Sequence, residues 1–492
     1  MKNWLKVQNE EAFEICKSPV LSVDALCDGV VHGIRNGMRP VQFFGRPDGD
    51  VVRLAVCLAG DDHSLYVAEA QVTQGQWYSA ITQEVEAMHL FERELYEQTG
   101  VIPQGHPWLK PVRFENGADV HSYPFLEAES EEMHVVAVGP VHAGIIEPGH
   151  FRFLCHGEDV LHLEIQLGYQ HRGVERLFCG KKPLSKATLA ESIAGDTVIG
   201  HAWAYAAAVE AIGQTVVSER AQAIRAIGLE LERIAVHLAG LGGISSDIGF
   251  LQGDAVYGRL RTAVINTSLQ ICGSRFGRGL IRPGGVLFDI DDDFQNKICQ
   301  ILLQVEQDTE KINRLLFETP SVMSRLEHTG TIDQKVAERI GLTGLMAKMT
   351  GRAIDSRYSH PLGHYAKEKD FQPVTANTGD VYARTMVRVL EIGQSIRLVR
   401  KWIHLGIPSA PAMTTPNPLH PGMACVVLVE GWRGEISHMV FTDSASDIAF
   451  YKIVDPSFHN WFGLALAVRG NGISDFPICN KSFDLSYCGH DL

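Results

Sequence analysis

The sequence predicts an α+β protein built from two unlike parts, an N-terminal α/β unit over residues 1–125 and a mainly α-helical unit over residues 126–492 with small β-sheets at its periphery. Three observations lead to this class. Two apolar, β-branched runs separated by a turn predict paired strands near the N-terminus. Long stretches of helical periodicity dominate after about residue 165. An acidic, loop-like stretch over residues 116–133 separates the two parts and marks the boundary.

The N-terminal unit is predicted from one strand pair and one helix. Residues 51–58 and 65–72 are the two apolar runs, and Gly60 with two aspartates supplies the turn between them. Apolar residues then recur at helical spacing from Trp77 to Met88, and Gly100 is the expected helix stop.

The second unit is predicted to begin with a short strand at residues 135–138 and a Gly- and Pro-containing loop at 139–149. A helix over 218–241 has apolar residues stepping by three and four, and Gly242-Gly243 is its expected stop. Further elements follow the same reasoning: helices over 292–318 and 380–404, and strands over 423–429 and 436–441.

Composition and charge exclude several classes of function. The net charge of −14 lacks the basic footprint of a nucleic-acid-binding protein. No stretch approaches about 18 uninterrupted apolar residues, so no membrane-spanning helix is predicted. The N-terminal residues lead into charged sequence and do not resemble a signal peptide. Attachment to a membrane would therefore depend on another subunit.

The ten cysteines are scattered, and no two of them form a CxxC pair. This spacing excludes a zinc ribbon, a ferredoxin-type cluster and a thioredoxin-like dithiol in this chain. Scattered cysteines without a secretion signal predict reduced, mostly buried thiols in a cytoplasm.

Several segments resemble known families, in the families' own order. Residues 91–96, Gly100 and residues 105–107 resemble the end of the C subunit of bacterial respiratory complex I, and residues 139–153 and 167–175 resemble the catalytic large subunit of membrane-bound (group 4) nickel–iron hydrogenases. A C-like part fused before a part similar to the complex I D subunit resembles formate-hydrogenlyase-type hydrogenases. Other matching segments are 230–234, 237–238, 274–275, 282–285, 355–357 and 430–435.

The resemblance implies where a nickel–iron centre would stand. Hydrogenases of this family hold nickel with four thiolates from two CxxC pairs, because soft sulfur ligands select the metal. The four corresponding positions are Ala194, Thr197, Ser486 and Gly489, and Cys488 falls one place away from the pattern. The resemblance therefore implies a hydrogenase-shaped subunit with no metal and no cofactor of its own.

The complex I relatives imply a second chemistry, quinone reduction. Their quinone headgroup is held by a tyrosine and by the second histidine of the loop that matches residues 139–149. The corresponding residues are Gly195 and Ile146, whereas the loop's first histidine is kept as His142. Binding of quinone and of NAD is implied here only as a property of the family.

Four residues are predicted to carry catalysis: Glu175, His142, Asp196 and Arg433. Glu175 matches the glutamate that passes protons from the metal site, and burial would raise its pKa towards neutrality. Arg433 matches the arginine above that site. Both have structural alternatives: an ion pair of Arg433 with a carboxylate and a salt bridge of Glu175 with Arg172. His201 and His237 are predicted to be core histidines. The other polar residues of this set are Glu147, His171 and Thr197.

The resemblance implies a peripheral-arm subunit of a complex I-like or energy-converting hydrogenase-related oxidoreductase, on the cytoplasmic side of the cell membrane. It would dock on a subunit similar to the complex I B subunit, whose 4Fe–4S cluster would supply electrons. Antiporter-like and H-subunit-like membrane subunits would lie beneath. The alternative is a non-catalytic subunit that only couples movements within such a complex. A working nickel–iron hydrogenase is disfavoured by the lost thiolates.

Overall fold

The computed structural model describes residues 3–115, 118–127, 130 and 132–492 as a mixed α/β architecture with several small, separate sheets, which confirms the α+β class. The strands are β1 Leu5–Val7, β2 Ala12–Glu14, β3 Val20–Leu21, β4 Arg39–Asp48, β5 Val51–Ala59, β6 Leu65–Thr73, β7 Trp77–Ser79, β8 Ile102–Gln104, β9 His134–Val138, β10 His150–His156, β11 Asp159–Gln166, β12 Ile281–Arg282, β13 Gly285–Val286, β14 Met423–Glu430, β15 Glu435–Thr442 and β16 Ile448–Val454.

The helices are α1 Val23–Arg35, α2 His89–Thr99, α3 Val174–Phe178, α4 Ala187–Ala190, α5 Val198–Ile212, α6 Glu219–Asp247, α7 Leu251–Cys272, α8 Asp292–Glu318, α9 Pro320–Leu326, α10 Gln334–Arg339, α11 Leu345–Lys348, α12 Ser356–Ser359, α13 Val381–Leu405, α14 Pro456–Ala467, α15 Phe476–Phe483 and α16 Tyr487–Asp491. In the described part of the chain, no helix combines the length and apolarity needed to cross a bilayer.

The N-terminal sheet has the strand order β1-β6-β5-β4, and β3 adds to β6 in parallel. The predicted strand pair is β5 and β6, and it is confirmed. The helix predicted from Trp77 is wrong, because Trp77 lies in β7 and α2 begins only at His89. The carboxylate of Glu92 accepts hydrogen bonds from the amides of Ile81 and Thr82, and it holds this stretch in short turns. Gly100 ends α2 in the left-handed region, as predicted.

The two units pack sheet on sheet. One face of the N-terminal sheet lies against β14, β15 and β16 through a shared apolar core that includes Phe44, Val67, Val426 and Phe441. Strand β2 adds to the edge of β14, giving a second sheet of order β16-β15-β14-β2. The N-terminal segment therefore crosses into the sheet of the C-terminal unit, while the boundary near residue 125 stays a prediction.

The helical unit follows the predicted pattern, with one difference. Helices α8 and α13 begin where predicted, because Asp291 and Asp380 cap their N-termini by accepting backbone N–H groups. Helix α6 starts after the capping residue Ser218, but it continues through Gly242-Gly243 to Asp247. A Cβ atom at Gly243 would lie 2.9 Å from the Lys481 side chain, so this glycine allows α15 to approach and does not end the helix.

Candidate functional site

The four positions that correspond to nickel ligands meet where the turn before α5 faces α16. Thr197 immediately precedes α5, and Ser486 caps α16 by accepting the Gly489 amide at 2.9 Å. A Cβ atom at Gly489 would lie 2.7 and 2.8 Å from the carboxyl carbon and Oδ2 of Asp455, so the Asp455 carboxylate stands where a ligand side chain would project. Together with the missing thiolates, this crowding means that these residues do not fit a nickel–iron centre. No cluster of three or more potential metal-ligating His, Cys, Asp or Glu side chains occurs within the described residues.

Arg433 and Asp196 form a bidentate ion pair beside these positions. The two guanidinium NH groups donate to the two Asp196 carboxylate oxygens at 2.7 and 2.8 Å, and Nε donates to the Asp484 carbonyl at 2.5 Å. Burial lowers the pKa of Arg433, but Asp196 outweighs burial and the net direction is upward. The Asp196 side chain is 41% exposed, so one end of the pair faces solvent. The ion pair between Arg433 and a carboxylate, which the sequence analysis gave as a structural alternative, is therefore present.

Glu175 lies in α3, and its partner is not the predicted one. Its carboxylate is 3.0 Å from Lys452 Nζ and accepts the Ile453 amide at 2.9 Å. Arg172 instead donates to three backbone carbonyls, so the predicted salt bridge between Glu175 and Arg172 is wrong. The expected rise of the Glu175 pKa is also wrong, because Lys452 and Arg113 outweigh burial and lower it.

Lys452 connects Glu175 to the N-terminal unit. Its ammonium also lies 2.6 Å from the Glu94 carboxylate in α2, and Glu94 pairs with Arg113. Burial lowers the pKa of Lys452 to about 8, so the lysine is the member of this group that changes protonation near neutrality. Sequence reasoning missed Lys452 and Glu94. A single lysine within the apolar run of β16 is the signal that could have indicated the first of them.

A cleft of about 460 Å³ opens between the two units over Glu175. Arg46 and Gln98 line it from the N-terminal unit, and His171 and Tyr451 line it from the other. Glu175 lines this cleft, whereas the Lys452 side chain is buried behind it, so the Glu175 carboxylate stands between the Lys452 ammonium and the cleft.

His142 belongs to a different contact. Its Nε2 bonds to the Gly149 carbonyl at 2.8 Å within its own loop. That loop exposes Val141 and Ile145, which are 79% and 86% accessible. Of the four predicted catalytic residues, the structure joins Asp196 with Arg433, whereas Glu175 and His142 have other partners.

Glu232 connects the Asp196 region to helix α5. Its carboxylate accepts the amides of Ile199 and Gly200 at 2.8 and 3.3 Å, at the N-terminus of α5. Burial raises the pKa of Glu232 to about 8, and the negative charge of Asp196 adds to the rise. Sequence reasoning assigned Glu232 no role beyond its place in a matching segment.

A buried charge network lies deeper, between α6, α11, α13 and β14. Lys348 Nζ contacts the carboxylates of Asp355 at 2.6 Å, Glu391 at 2.7 Å and Glu430 at 3.1 Å. The segments 230–234, 355–357 and 430–435 that carry the family resemblance meet here. His237 bonds to Glu391 at 2.6 Å, and with His201 it confirms the prediction of core histidines. The other charged members of the network are Glu230, Arg233 and Arg357.

All ten cysteines lie in the described part of the chain, and all are free thiols. Cys16 is the exposed one, and the others are buried or half-buried. Cys488 lies beside the nickel-ligand positions, 3.4 Å from Ser486 Oγ. Burial and then the Glu147 carboxylate raise the pKa of Cys488 to about 11, so its thiol stays protonated near neutrality.

Similarity to known proteins extends over most of the chain. Residues 247–419 match the family described as "Respiratory-chain NADH dehydrogenase, 49 Kd subunit". Formate hydrogenlyase subunit 5 of Escherichia coli (strain K12) is 29% identical over 435 residues, which cover 83% of this chain and 76% of the relative. The D subunit of the NADH-quinone oxidoreductase of Dehalococcoides mccartyi is 29% identical over 359 residues, which cover 72% of this chain and 97% of the relative.

The fold is similar as well. A chain of the membrane-bound sulfane sulfur reductase (MBS), an archaeal respiratory membrane complex, superimposes with a TM-score of 0.69 at 26% identity, covering 74% of this chain and 100% of that one. Relatives named as hydrogenase subunits and a relative named as an NADH-quinone oxidoreductase subunit thus match overlapping parts of this chain, because each match covers more than 70% of it. The chain is therefore similar, over most of its length, to the large subunits of membrane-bound hydrogenases and to the D (49 kDa) subunits of NADH-quinone oxidoreductases, which supports the resemblance drawn from the sequence.

Proposed function

We propose that this chain is a peripheral-arm subunit of a membrane-associated, complex I-like or energy-converting hydrogenase-related oxidoreductase that works without a nickel–iron centre. One observation carries the proposal. The nickel-ligand positions are filled by the Asp455 carboxylate and by hydroxyl groups beside the Arg433–Asp196 pair. The surrounding frame, including the buried network at Lys348, keeps the family's charged motifs.

In this proposal the chain couples electron transfer to proton or ion translocation by holding and moving protons. Lys452 Nζ, with a pKa of about 8, takes up or releases a proton beside Glu175 at the base of the cleft. Movement of that proton changes the charge that Glu94 and Arg113 of the N-terminal unit experience. Arg433 and Asp196 respond to charge that develops on their solvent-facing side, because Asp196 is the exposed member of the pair.

The expected partners are a B-subunit-like iron–sulfur subunit carrying a 4Fe–4S cluster, and antiporter-like and H-subunit-like membrane subunits. The loop over residues 139–149 supports docking of such a neighbour, because it exposes Val141, Ile145 and Ile146 and packs at Gly149 against Tyr487 of α16. Electrons would arrive from that cluster. The complex would lie on the cytoplasmic side of the cell membrane, with this chain as a peripheral component.

A second candidate function is a coupling subunit without catalysis. The observation that favours it is the closed geometry of the Arg433–Asp196 pair, which occupies the pocket where a redox centre would bind in hydrogenases of the family. In this case only conformational or proton movements would pass through the chain.

Purification of the complex through a tag on this chain tests the proposal. We expect iron without stoichiometric nickel by elemental analysis, together with electron transfer from a reduced viologen dye to an acceptor. Stoichiometric nickel would contradict the proposal. Iron with no redox turnover under any donor and acceptor pair would favour the coupling role.

The docking surface is tested separately. The double variant Val141→Asp/Ile145→Asp should no longer co-purify with the iron–sulfur subunit. Val216→Asp/Leu405→Asp is the matched control, since these apolar residues are 82% and 71% exposed outside the loop. Equal recovery of the neighbour by both variants would exclude this loop as the docking surface.

A further inference from the structure

Four buried side chains form one continuous hydrogen-bonded chain behind the nickel-ligand positions. Asp455 Oδ2 lies 3.1 Å from His201 Nε2, and His201 Nδ1 lies 3.1 Å from His438 Nε2. His438 Nδ1 lies 2.8 Å from the Tyr451 hydroxyl. The four residues come from the turn before α14, from α5, from β15 and from β16, and each is at most 1% exposed.

The direction of these hydrogen bonds follows from the donors that each group carries. A carboxylate only accepts, so His201 Nε2 must hold the proton that faces Asp455. The other nitrogen of a neutral ring is an acceptor, so His438 Nε2–H donates to His201 Nδ1. Tyr451 O–H then donates to His438 Nδ1 by the same reasoning. With both rings neutral, every bond points from Tyr451 towards Asp455.

The surroundings favour these protonation states. Burial holds the pKa of His438 well below its ordinary value. Burial would raise the pKa of Asp455, but the net direction is downward, and the hydrogen bond from His201 and the charge of Arg433 both act in that direction. Burial also raises the pKa of Tyr451 well above its ordinary value. A neutral His438, an ionised Asp455 and a neutral phenol are the states that the directed chain requires.

The two ends of the chain lie in two different places. Tyr451 lines the cleft that contains Glu175, and its ring stacks on Phe178 with centroids 4.2 Å apart. Asp455 stands where a side chain at position 489 would project. The chain therefore spans the core between the cleft and the nickel-ligand position Gly489, on a route separate from Glu175 and Lys452.

We propose that Tyr451, His438, His201 and Asp455 form a proton wire that delivers protons from the cleft to the nickel-ligand positions. A proton reaches the Tyr451 oxygen as its own proton passes to His438 Nδ1. The Nε2 proton of His438 passes to His201 Nδ1, and the Nε2 proton of His201 passes to Asp455 Oδ2. One proton enters, one arrives, and no electron moves. The proposal rests on the proposed redox function, which supplies the demand for protons.

The test uses the intact complex and two tyrosine variants. Tyr451→Phe keeps the ring on Phe178 and removes the entry hydroxyl, whereas Tyr257→Phe is the matched control because its hydroxyl donates to Asn313, which is not part of the chain of four residues. We expect Tyr451→Phe to slow turnover by about tenfold or more and to raise the solvent isotope effect, as for loss of a proton-transfer group. The control should match the parent. If Tyr451→Phe does not assemble, Asp455→Asn serves, because it accepts from His201 but cannot take a proton.

Nitrogen NMR of ring-labelled histidines in the full chain gives a readout that needs no turnover. We expect neutral rings with the proton on Nε2 at both His201 and His438, and a change at His438 in Tyr451→Phe alone. The opposite tautomer, or a protonated ring, would overturn the wire. Parent-like turnover of Tyr451→Phe would also overturn it while leaving the redox function intact. If the parent complex has no redox turnover, both the redox function and proton delivery are overturned. The histidine tautomers measured by NMR would still show whether the directed hydrogen-bonded chain exists.

Discussion

The buried network at Lys348 and the pocket at Asp196 are built from the same kinds of residue, and both contain segments that resemble the family. In the network, the Lys348, Arg357 and Glu391 side chains are at most 1% exposed and their charges are paired within the core. In the pocket, the Arg433–Asp196 pair has one buried and one exposed member, and Arg433 also donates to the Asp484 carbonyl. The closed network therefore holds helices together, whereas the half-exposed Arg433–Asp196 pair is where we propose that chemistry or coupling takes place.

The largest effect is expected at the centre of the network. Lys348→Met would leave three buried carboxylates without their shared cation, so we expect the free energy of unfolding to fall by about 3–5 kcal/mol. Denaturant unfolding, or the yield of assembled complex, measures this change. Lys401→Met removes a half-exposed partner of Glu368 and should cost at most about 1 kcal/mol. If the two variants lose similar amounts of unfolding free energy, the buried network at Lys348 contributes no more to stability than a surface ion pair.

In the open region, the largest effect is expected on rate. Glu175→Gln keeps the shape of the side chain but removes the carboxylate that stands between Lys452 and the cleft. We expect assembly to persist and turnover to fall by about 10²–10⁴-fold, because Lys452 loses the charged partner beside which it takes up and releases its proton, and proton-transfer groups have effects of this size. Glu115→Gln, on the same cleft, is the control. A Glu175→Gln complex that assembles and runs at the parent rate would make Glu175 a structural partner of Lys452.

Substitutions at two glycines test how crowded the nickel-ligand positions are. Gly489→Ala places a methyl group 2.7 Å from the Asp455 carboxyl carbon, and we expect a loss of about 1–3 kcal/mol in unfolding free energy from overpacking. Gly195→Ala meets nothing within 4 Å and should change stability by less than about 0.5 kcal/mol. Thermal unfolding of the two variants gives the comparison. Equal stability would mean that position 489 has room for a ligand side chain.

The smallest effect is a pH dependence at Glu232. Because the folded-state pKa is raised from 4.5 to about 8, the folded protein holds a proton there that the unfolded chain has lost. Its contribution to stability is therefore lost as pH rises from about 4.5 to 8. Glu232→Gln does not titrate, so its stability relative to the parent should rise by at least about 1 kcal/mol between pH 5 and pH 9. A flat difference between Glu232→Gln and the parent across this pH range would contradict the raised pKa.

Local sequence signals predicted the elements whose ends are fixed by local contacts. Helices α8 and α13 begin at aspartates that cap their own backbone, and α2 ends at a left-handed glycine. Two boundaries were predicted wrongly, the start of α2 and the end of α6. Both depend on partners distant in sequence or on side chains beyond the local pattern. Glu92 replaces the helical bonds of residues 81–82, and Gly243 accommodates Lys481 from α15.

The same distinction applies to the candidate site. Arg433 and Asp196 were predicted from motifs, although they lie 237 positions apart and only the fold pairs them. Lys452, His438 and Asp455 were missed because they lie in apolar or otherwise ordinary segments and gain meaning only from partners in α2, α3 and α5. Resemblance to a family identifies the positions that the family uses. It does not identify other residues of this chain that lie around the altered nickel-ligand positions.

Strand β2 also has a consequence for biosynthesis. Its partner β14 begins at Met423, about 410 residues after Glu14. At roughly 5–20 residues per second, the ribosome needs roughly 20–80 s to produce that partner. During this time β2 is a strand without its sheet, and such unpaired strands promote association between chains. The nascent N-terminal segment is therefore the part of the chain that most needs a chaperone or a temporary contact within the N-terminal unit until synthesis is nearly complete.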